Sequence, residues 1–153
     1  NTKAVFLFIT HEPAAFIINK AREHNINKDA LRIIGASRNE VPYYLAAANL
    51  SVFFIVPTFS KKASSPTKQG ELMGMGIPII CNAGVGDTDE IINKSQCGFV
   101  LSSLDEAGFN AAAMQADRLT EISKEKIREG AKAFYSLEKG VAAYDKIYQS
   151  LKF

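Results

Sequence analysis

The chain has little net charge, few cysteines and histidines, and no long apolar run, and each shortage excludes something. Over 153 residues the formal charge is only +2. That is too small to argue for nucleic acid or an anionic membrane as partner of the whole molecule, so any basic function must be local. The two cysteines, Cys81 and Cys97, sit in the apolar stretches Ile79-Ile80-Cys81 and Cys97-Gly98-Phe99-Val100. With no secretory signal they read as buried thiols of a reduced, cytosolic protein rather than as a disulfide. Histidine occurs twice, and no Cys/His cluster has metal-ligand spacing, so no metal is expected. The longest apolar run is far too short to span a bilayer.

What is present suits one compact globular domain. Apolar residues make up 47% and charged residues 22%, ordinary values for such a chain. Residue 1 is Asn and an apolar strand begins almost at once. Residues 1–153 are therefore expected to be a single domain cut from a longer chain.

Five near-continuous apolar runs, Val5 to Ile9, Leu31 to Ile34, Val52 to Val56, Ile77 to Cys81 and Phe99 to Leu101, suit strands buried on both faces of a parallel sheet. Helical spacing separates them, over Ala14 to His24, Val41 to Ala48, Ser65 to Met75 and Asp87 to Lys94. Ala14, Ile17, Ile18 and Ala21 share one face of the first. Strand and helix alternate, so the expected fold is a doubly wound, Rossmann-like α/β domain. The last third reads as helices over Leu104 to Leu119, Lys124 to Tyr135 and Glu138 to Leu151, with Ser123 and Ser136 as N-terminal caps. Val141, Tyr144, Ile147, Tyr148 and Leu151 form an apolar stripe expected to pack on the sheet or on an adjoining domain.

Ligands of open α/β sheets bind beyond the carboxyl ends of the strands. The longest loop there, Pro57 to Ser64, ends in Ser65-Pro66, which reads as a cap followed by proline at the first helical position. Thr67 and Lys68 then carry backbone N–H groups without an intrahelical acceptor, at the positive end of a helix dipole. With Lys61, Lys62 and Lys68 nearby, the natural ligand is a phosphate or diphosphate. The alternative is an ordinary capped surface helix. Glu71, one turn past Lys68, is placed either for a surface ion pair or for the hydroxyls of a ribose.

Gly74 and Gly76 flank Met75, and glycine there ends the helix in a left-handed turn before Ile77-Pro78 opens the next strand. The following turn, Gly84-Val85-Gly86-Asp87-Thr88, lies again at a strand's carboxyl end. Its glycines admit close backbone approach, to a ligand or within a plain turn, and Asp87 or Thr88 can cap the next helix. A nicotinamide-type fingerprint needs a third glycine at position 89, which is Asp. His11 follows the first strand, as a loop residue or as a group facing the cleft.

From Asp29 to Leu101 the chain resembles the donor-binding domain of GT-B glycosyltransferases of family 4. The likeness rests on the order of Ile33-Ile34-Gly35, Glu40 to Asn49, a Glu-bearing helix running into Met75-Gly76-Ile77-Pro78-Ile79-Ile80, and the Gly-rich turn leading to Glu90-Ile91-Ile92. The resemblance implies the C-terminal half of a GT-B fold, with retaining sugar transfer from a nucleotide-sugar donor to a saccharide or lipid-linked acceptor. It implies diphosphate binding at Ser65, Thr67 and Lys68, ribose binding at Glu71, and a nucleotide base beside Gly35, Ala36 and Ser37. Gly84, Gly86, Asp87 and His11 are further cleft candidates. No cofactor is implied. The partners implied are the donor, the acceptor and the protein's own N-terminal domain, in a cytoplasmic enzyme or one peripheral to the inner membrane face. Many members carry a second glutamate eight positions before the ribose glutamate; here it is Ala63, so no catalytic residue is assigned. Two competing expectations are a GT-B-like sugar-nucleotide epimerase and a non-catalytic α/β binding module.

Overall fold

The computed structural model describes residues 4–151 and divides into two compact units, residues 1–48 and 49–153. In the first, β1 (Phe6–Ile9) and β2 (Leu31–Ile34) pair in parallel, Phe6 opposite Leu31 and Ile9 opposite Ile34. Helix α1 (Ala14–Glu23) connects them and α2 (Val41–Leu45) follows. Of the face expected for α1, Ala21 is buried and Ile17 and Ile18 are half-buried, while Ala14, at the first position of the helix, is exposed.

In the second unit β3 (Ser51–Val52), β4 (Ile79–Asn82) and β5 (Gly98–Leu101) form an all-parallel sheet in that order. Parallel neighbours need crossovers, supplied by α3 (Thr67–Gly74) and α4 (Thr88–Ser95). Three helices complete the unit: α5 (Glu106–Leu119), α6 (Lys124–Tyr135) and α7 (Leu137–Ser150).

The core of this unit lies around β4, all four of whose residues are buried. Ile80 and Leu101 pack with Ala112 and Leu119 of α5. Strand alternation puts Ile79 and Cys81 on the opposite face, where α3 and α4 meet β4. Helix α6 lies against α3 and α4, with Ile127 fully buried. Burial on both faces, expected for all five strands, therefore holds at β4 and not at β1, where Phe6, Leu7 and Phe8 are exposed. Apolar runs report strand composition; they do not say which face is covered.

Local chemistry sets most of the ends. Ser123 and Ser136 accept from the N–H groups of Lys126 and Lys139 and so cap α6 and α7. Helix α3 closes in a Schellman motif: Gly76, at φ +73°, donates to Met73 O, and Ile77 donates to Leu72 O. The left-handed residue is Gly76; Gly74 is still helical. Two expectations differ from the structure. Strand β3 stops at Val52 instead of Val56. Of the two packings expected for the stripe Val141, Tyr144, Ile147, Tyr148 and Leu151, the one on the sheet is not found, since the stripe is exposed and α7 has no buried residue; an adjoining domain is left as the alternative. No helix among the described residues is long and apolar enough to cross a membrane.

Candidate functional site

Past Val52 the chain stays extended beside β4 without a regular ladder. Phe53 N–H donates to Ile80 O at 3.0 Å. Two residues on, the Asn82 side chain replaces a strand: Oδ1 accepts from Ile55 N–H and Nδ2 donates to Ile55 O, both at 2.8 Å. A buried carboxamide thus pairs backbone groups that would otherwise be unsatisfied. The loop it launches turns through a 3₁₀ segment, Phe59–Ala63, and enters α3.

Helix α3 begins one residue later than the sequence suggests. Pro66 takes the cap position with φ −69° and ψ 114°, and no side chain caps the helix. An extended Pro66 delays the helical turn to Thr67, which leaves Ser65 outside it and overturns its assignment as the cap. Gln69 N–H donates to Pro66 O at 2.9 Å. The N–H groups of Thr67 and Lys68 have no acceptor among the described residues. Both residues are exposed.

The other long helices of this unit do not begin this way. Asp105, Ser123 and Ser136 cap α5, α6 and α7, each with an acid in the first turn, and α4 carries Asp89 and Glu90 in its first turn. Helix α3 has neither cap nor acid, and its first turn holds Lys68. Negative charge near a helix start stabilises by about 0.3–1 kcal/mol. At α3 that charge is left for something else to supply.

The surrounding side chains fit the same description. Lys68 Nζ lies 5.6 Å from the centre of the Phe53 ring, a cation–π contact. Lys68 forms no ion pair with Glu71, and among the described residues the exposed Glu71 carboxylate has no partner. The surface ion pair allowed by the spacing is absent.

The Gly-rich turn lies directly against the α3 entry. Gly86 has φ +52°, and a Cβ there would fall 1.9 Å from Ser64 O. Close backbone approach is thus used within the protein, between two loops, at Gly86. Gly84 adjoins Pro57, 3.4 Å from where its Cβ would be. Asp87 occupies the cap position of α4 without a side-chain cap bond. The structure therefore brings Ser65, Thr67, Lys68 and Glu71 together with Gly84, Gly86 and Asp87 in one region of the second unit.

A different group assembles in the first unit. His11 and Gly35 stand at the carboxyl ends of β1 and β2, with His11 Nδ1 3.7 Å from the position of a Cβ on Gly35. Ala36 is half-buried. Ser37 is engaged by Glu40, whose Oε2 accepts from Ser37 N–H at 2.8 Å and from its hydroxyl at 2.6 Å. The Ser37 hydroxyl and backbone hold the Glu40 carboxyl below its usual range. Ser-x-x-Glu before α2 is half of a capping box that went unread in the sequence.

Three further residues escaped the sequence reading. Asn82 had a signal, a polar residue closing the apolar run Ile79-Ile80-Cys81. Gln69 is fully buried and its Nε2 donates to Thr88 O at 3.2 Å, tying α3 to α4. The Tyr135 ring covers Gly70, where a Cβ would come within 3.0 Å of it. Nothing local in the sequence announces that contact. A cleft of about 540 Å³ lies elsewhere, at the amino end of β5, lined by Gln96, Gly98, Arg118 and Lys126 among others. It includes none of the residues gathered at α3.

No protein-family model matches the chain, and no curated protein sequence matches it. Among solved structures it is similar to WaaG, a glycosyltransferase involved in lipopolysaccharide biosynthesis, with TM-score 0.67 and 20% identity. The match covers 90% of this chain and 37% of WaaG, so the chain spans little more than a third of that protein's length. The sheet order, the parallel pairing and the C-terminal helices give this chain the Rossmann-like α/β fold of one half of a GT-B protein.

Proposed function

We propose that the chain is the donor-binding half of a glycosyltransferase, holding a nucleotide sugar by its diphosphate at the start of α3. The observation that carries this is the bare helix start: two N–H groups without an acceptor among the described residues, no cap and no acid, beside Lys68. Similarity to WaaG, itself a glycosyltransferase, supports the same reading.

In this reading Thr67 and Lys68 donate backbone N–H bonds to the diphosphate, Lys68 adds its ammonium, and the free Glu71 carboxylate accepts from the ribose hydroxyls. The Ser65 hydroxyl adds a donor before the first turn. Lys61 and Lys62, both exposed in the 3₁₀ segment, raise the local positive potential. Sugar transfer leaves a nucleoside diphosphate whose charge grows as the glycosidic bond breaks. Donors fixed beforehand at those oxygens stabilise that charge without reorganisation. No metal or cofactor enters the scheme. Two charge-assisted bonds contribute about 3–6 kcal/mol in total, against about 4 kcal/mol for millimolar affinity. Binding by this chain is therefore expected to be weak, roughly 0.1–1 mM.

The full proposal is retaining, family 4-like transfer to a saccharide or lipid-linked acceptor, with an N-terminal domain completing the site. The base would lie by Gly35, Ala36 and Ser37, with His11 close to that group. The setting would be cytoplasmic, or peripheral at the inner membrane face. Ala63 favours a second reading, a domain that binds the donor without catalysing transfer, since no carboxylate stands at that position. Sugar transfer by the intact protein decides between them. Calorimetry with uridine and guanosine diphosphates tests the shared claim of donor binding, which fails if neither binds or if Glu71→Ala leaves binding unchanged.

A further inference from the structure

We propose that the cleft at the amino end of β5 is a second ligand site, built for a small polyhydroxylated anion: a sugar bearing one phosphate or carboxylate group. Helices α3 and α4 each run from the carboxyl end of one strand to the amino end of the next. The cleft and the start of α3 therefore lie at opposite ends of the sheet, and the occupant of one is independent of the diphosphate proposed for the other.

The lining is chemically selective. Apolar side chains such as Phe99 and Leu119 alternate with three carboxamides, Asn93, Gln96 and Gln115, and with two cations, Arg118 and Lys126. Among the described residues no carboxylate lines the cleft. Its volume, about 540 Å³, is that of a small-molecule site with an apolar wall and a few convergent polar groups. Each group has a counterpart on an acidic sugar. A carboxamide both donates and accepts, as a sugar hydroxyl does. A guanidinium meets a phosphate or carboxylate through two parallel bonds. An uncharged sugar would leave both cations unused, and an inorganic anion would leave the carboxamides and the apolar wall unused.

An independent observation marks the same place. Gln96 ends α4 in the left-handed conformation, with φ +49° and ψ 41°. That position is ordinarily taken by glycine, or by asparagine, whose short side chain bonds locally. Elsewhere in this chain the rule holds: Gly76 is the left-handed residue after α3, and Asn25 stands at φ +57° beyond α1. Glutamine is disfavoured there, and closing the helix does not require its side chain. What the side chain does is reach α6, where its Oε1 accepts from Lys126 Nζ at 2.8 Å. One of the three ammonium donors is thus spent on holding Lys126 at the cleft, which leaves two for a ligand. Strain kept at a cleft for the sake of one side chain is the pattern of a binding site.

Amide NMR titrations with glucose 6-phosphate, glucuronate, glucose and inorganic phosphate test the site. Saturable shifts at Gln96, Gly98 and Phe99 with one or both acidic sugars are expected, and the tighter of the two identifies the anionic group. Three results overturn the proposal: glucose binding as tightly as the acidic sugars, inorganic phosphate binding as tightly as glucose 6-phosphate, or no binding at roughly 10 mM. Shifts confined to Thr67 and Lys68 also overturn it, since they move the ligand to α3. Arg118→Ala is expected to weaken the acidic sugars about tenfold, the worth of a charged hydrogen bond, and unchanged affinity overturns the proposal. Gln96→Gly separates binding from folding. It relieves the left-handed strain and removes the carboxamide, so the variant should melt no lower than the unsubstituted chain yet bind about three- to tenfold more weakly. A lower melting temperature, or unchanged affinity, shows that the glutamine serves the fold alone and overturns the proposal.

Discussion

The Asn82 carboxamide bonds both backbone groups of Ile55, Oδ1 accepting and Nδ2 donating at 2.8 Å each. One side chain thereby does the work of a strand rung and fixes where the loop to α3 departs from the sheet. Asn82→Ala should leave Ile55 N–H and C=O unpaired, at a cost of about 1–3 kcal/mol. Urea unfolding measures the loss, and amide exchange at Ile55 should speed up in the variant.

Gly86 meets the Ser64 carbonyl at a distance that no side chain tolerates, with φ +52°. Gly86→Ala must move the α3 entry or the turn, and a stability loss of about 2 kcal/mol or more is expected from strain and clash together. Gly74→Ala is the contrasting case. Nothing lies within 4 Å of its Cβ position and its φ is ordinary, so the variant should be neutral or more stable by about 0.5 kcal/mol. Thermal melts of both variants separate these outcomes.

Glu71 and Lys68 should fail in different ways. Glu71→Ala is expected to weaken nucleoside diphosphate binding about tenfold, as loss of a charged hydrogen-bond acceptor does, while pyrophosphate, which has no ribose, binds as before. Lys68→Ala should weaken both ligands and flatten the salt dependence of binding. Parallel titrations with the two ligands at low and moderate salt distinguish the roles.

Burial pushes the Cys97 thiol up to about 11 and the Cys81 thiol up to about 12. Unfolding returns both to about 8.5. Above that value the unfolded chain sheds protons that the folded chain keeps. The thiols' contribution is thus complete below about pH 8.5 and is lost as pH rises toward 11–12. Urea midpoints should fall between pH 8 and pH 10.5, with a shallower fall in Cys97→Ala. A thiol reagent at pH 8 should label neither cysteine until the chain unfolds.

Much of the fold was legible because short-range chemistry wrote it. Leu31–Ile34 and Lys124–Tyr135 have the bounds their patterns predict, Ser123 and Ser136 cap the helices they precede, and the glycine pair at 74 and 76 announced a left-handed helix end. What failed to show were long-range substitutions of one group for another. Val52 to Val56 reads as a strand, yet beyond Val52 its pairing comes partly from a side chain 27 residues away. Ser65-Pro66 reads as a cap and a first turn, but Pro66 stays extended and shifts the helix by one residue. Tyr135 meets Gly70 across 65 residues of chain, a contact that no period of 2 or 3.6 encodes. In the site, the free N–H groups were readable from helix geometry, whereas the bare Glu71 carboxylate needed the structure to show Lys68 turned onto Phe53.

The central claim is that the start of α3 receives a nucleoside diphosphate. An amide NMR titration of the chain with uridine and guanosine diphosphates tests it most directly. Saturable shifts centred on the Thr67 and Lys68 N–H signals, reached only at about tenfold higher ligand in Glu71→Ala, are the predicted result. Unmoved Thr67 and Lys68 signals at millimolar ligand, or shifts confined to other regions, would contradict it.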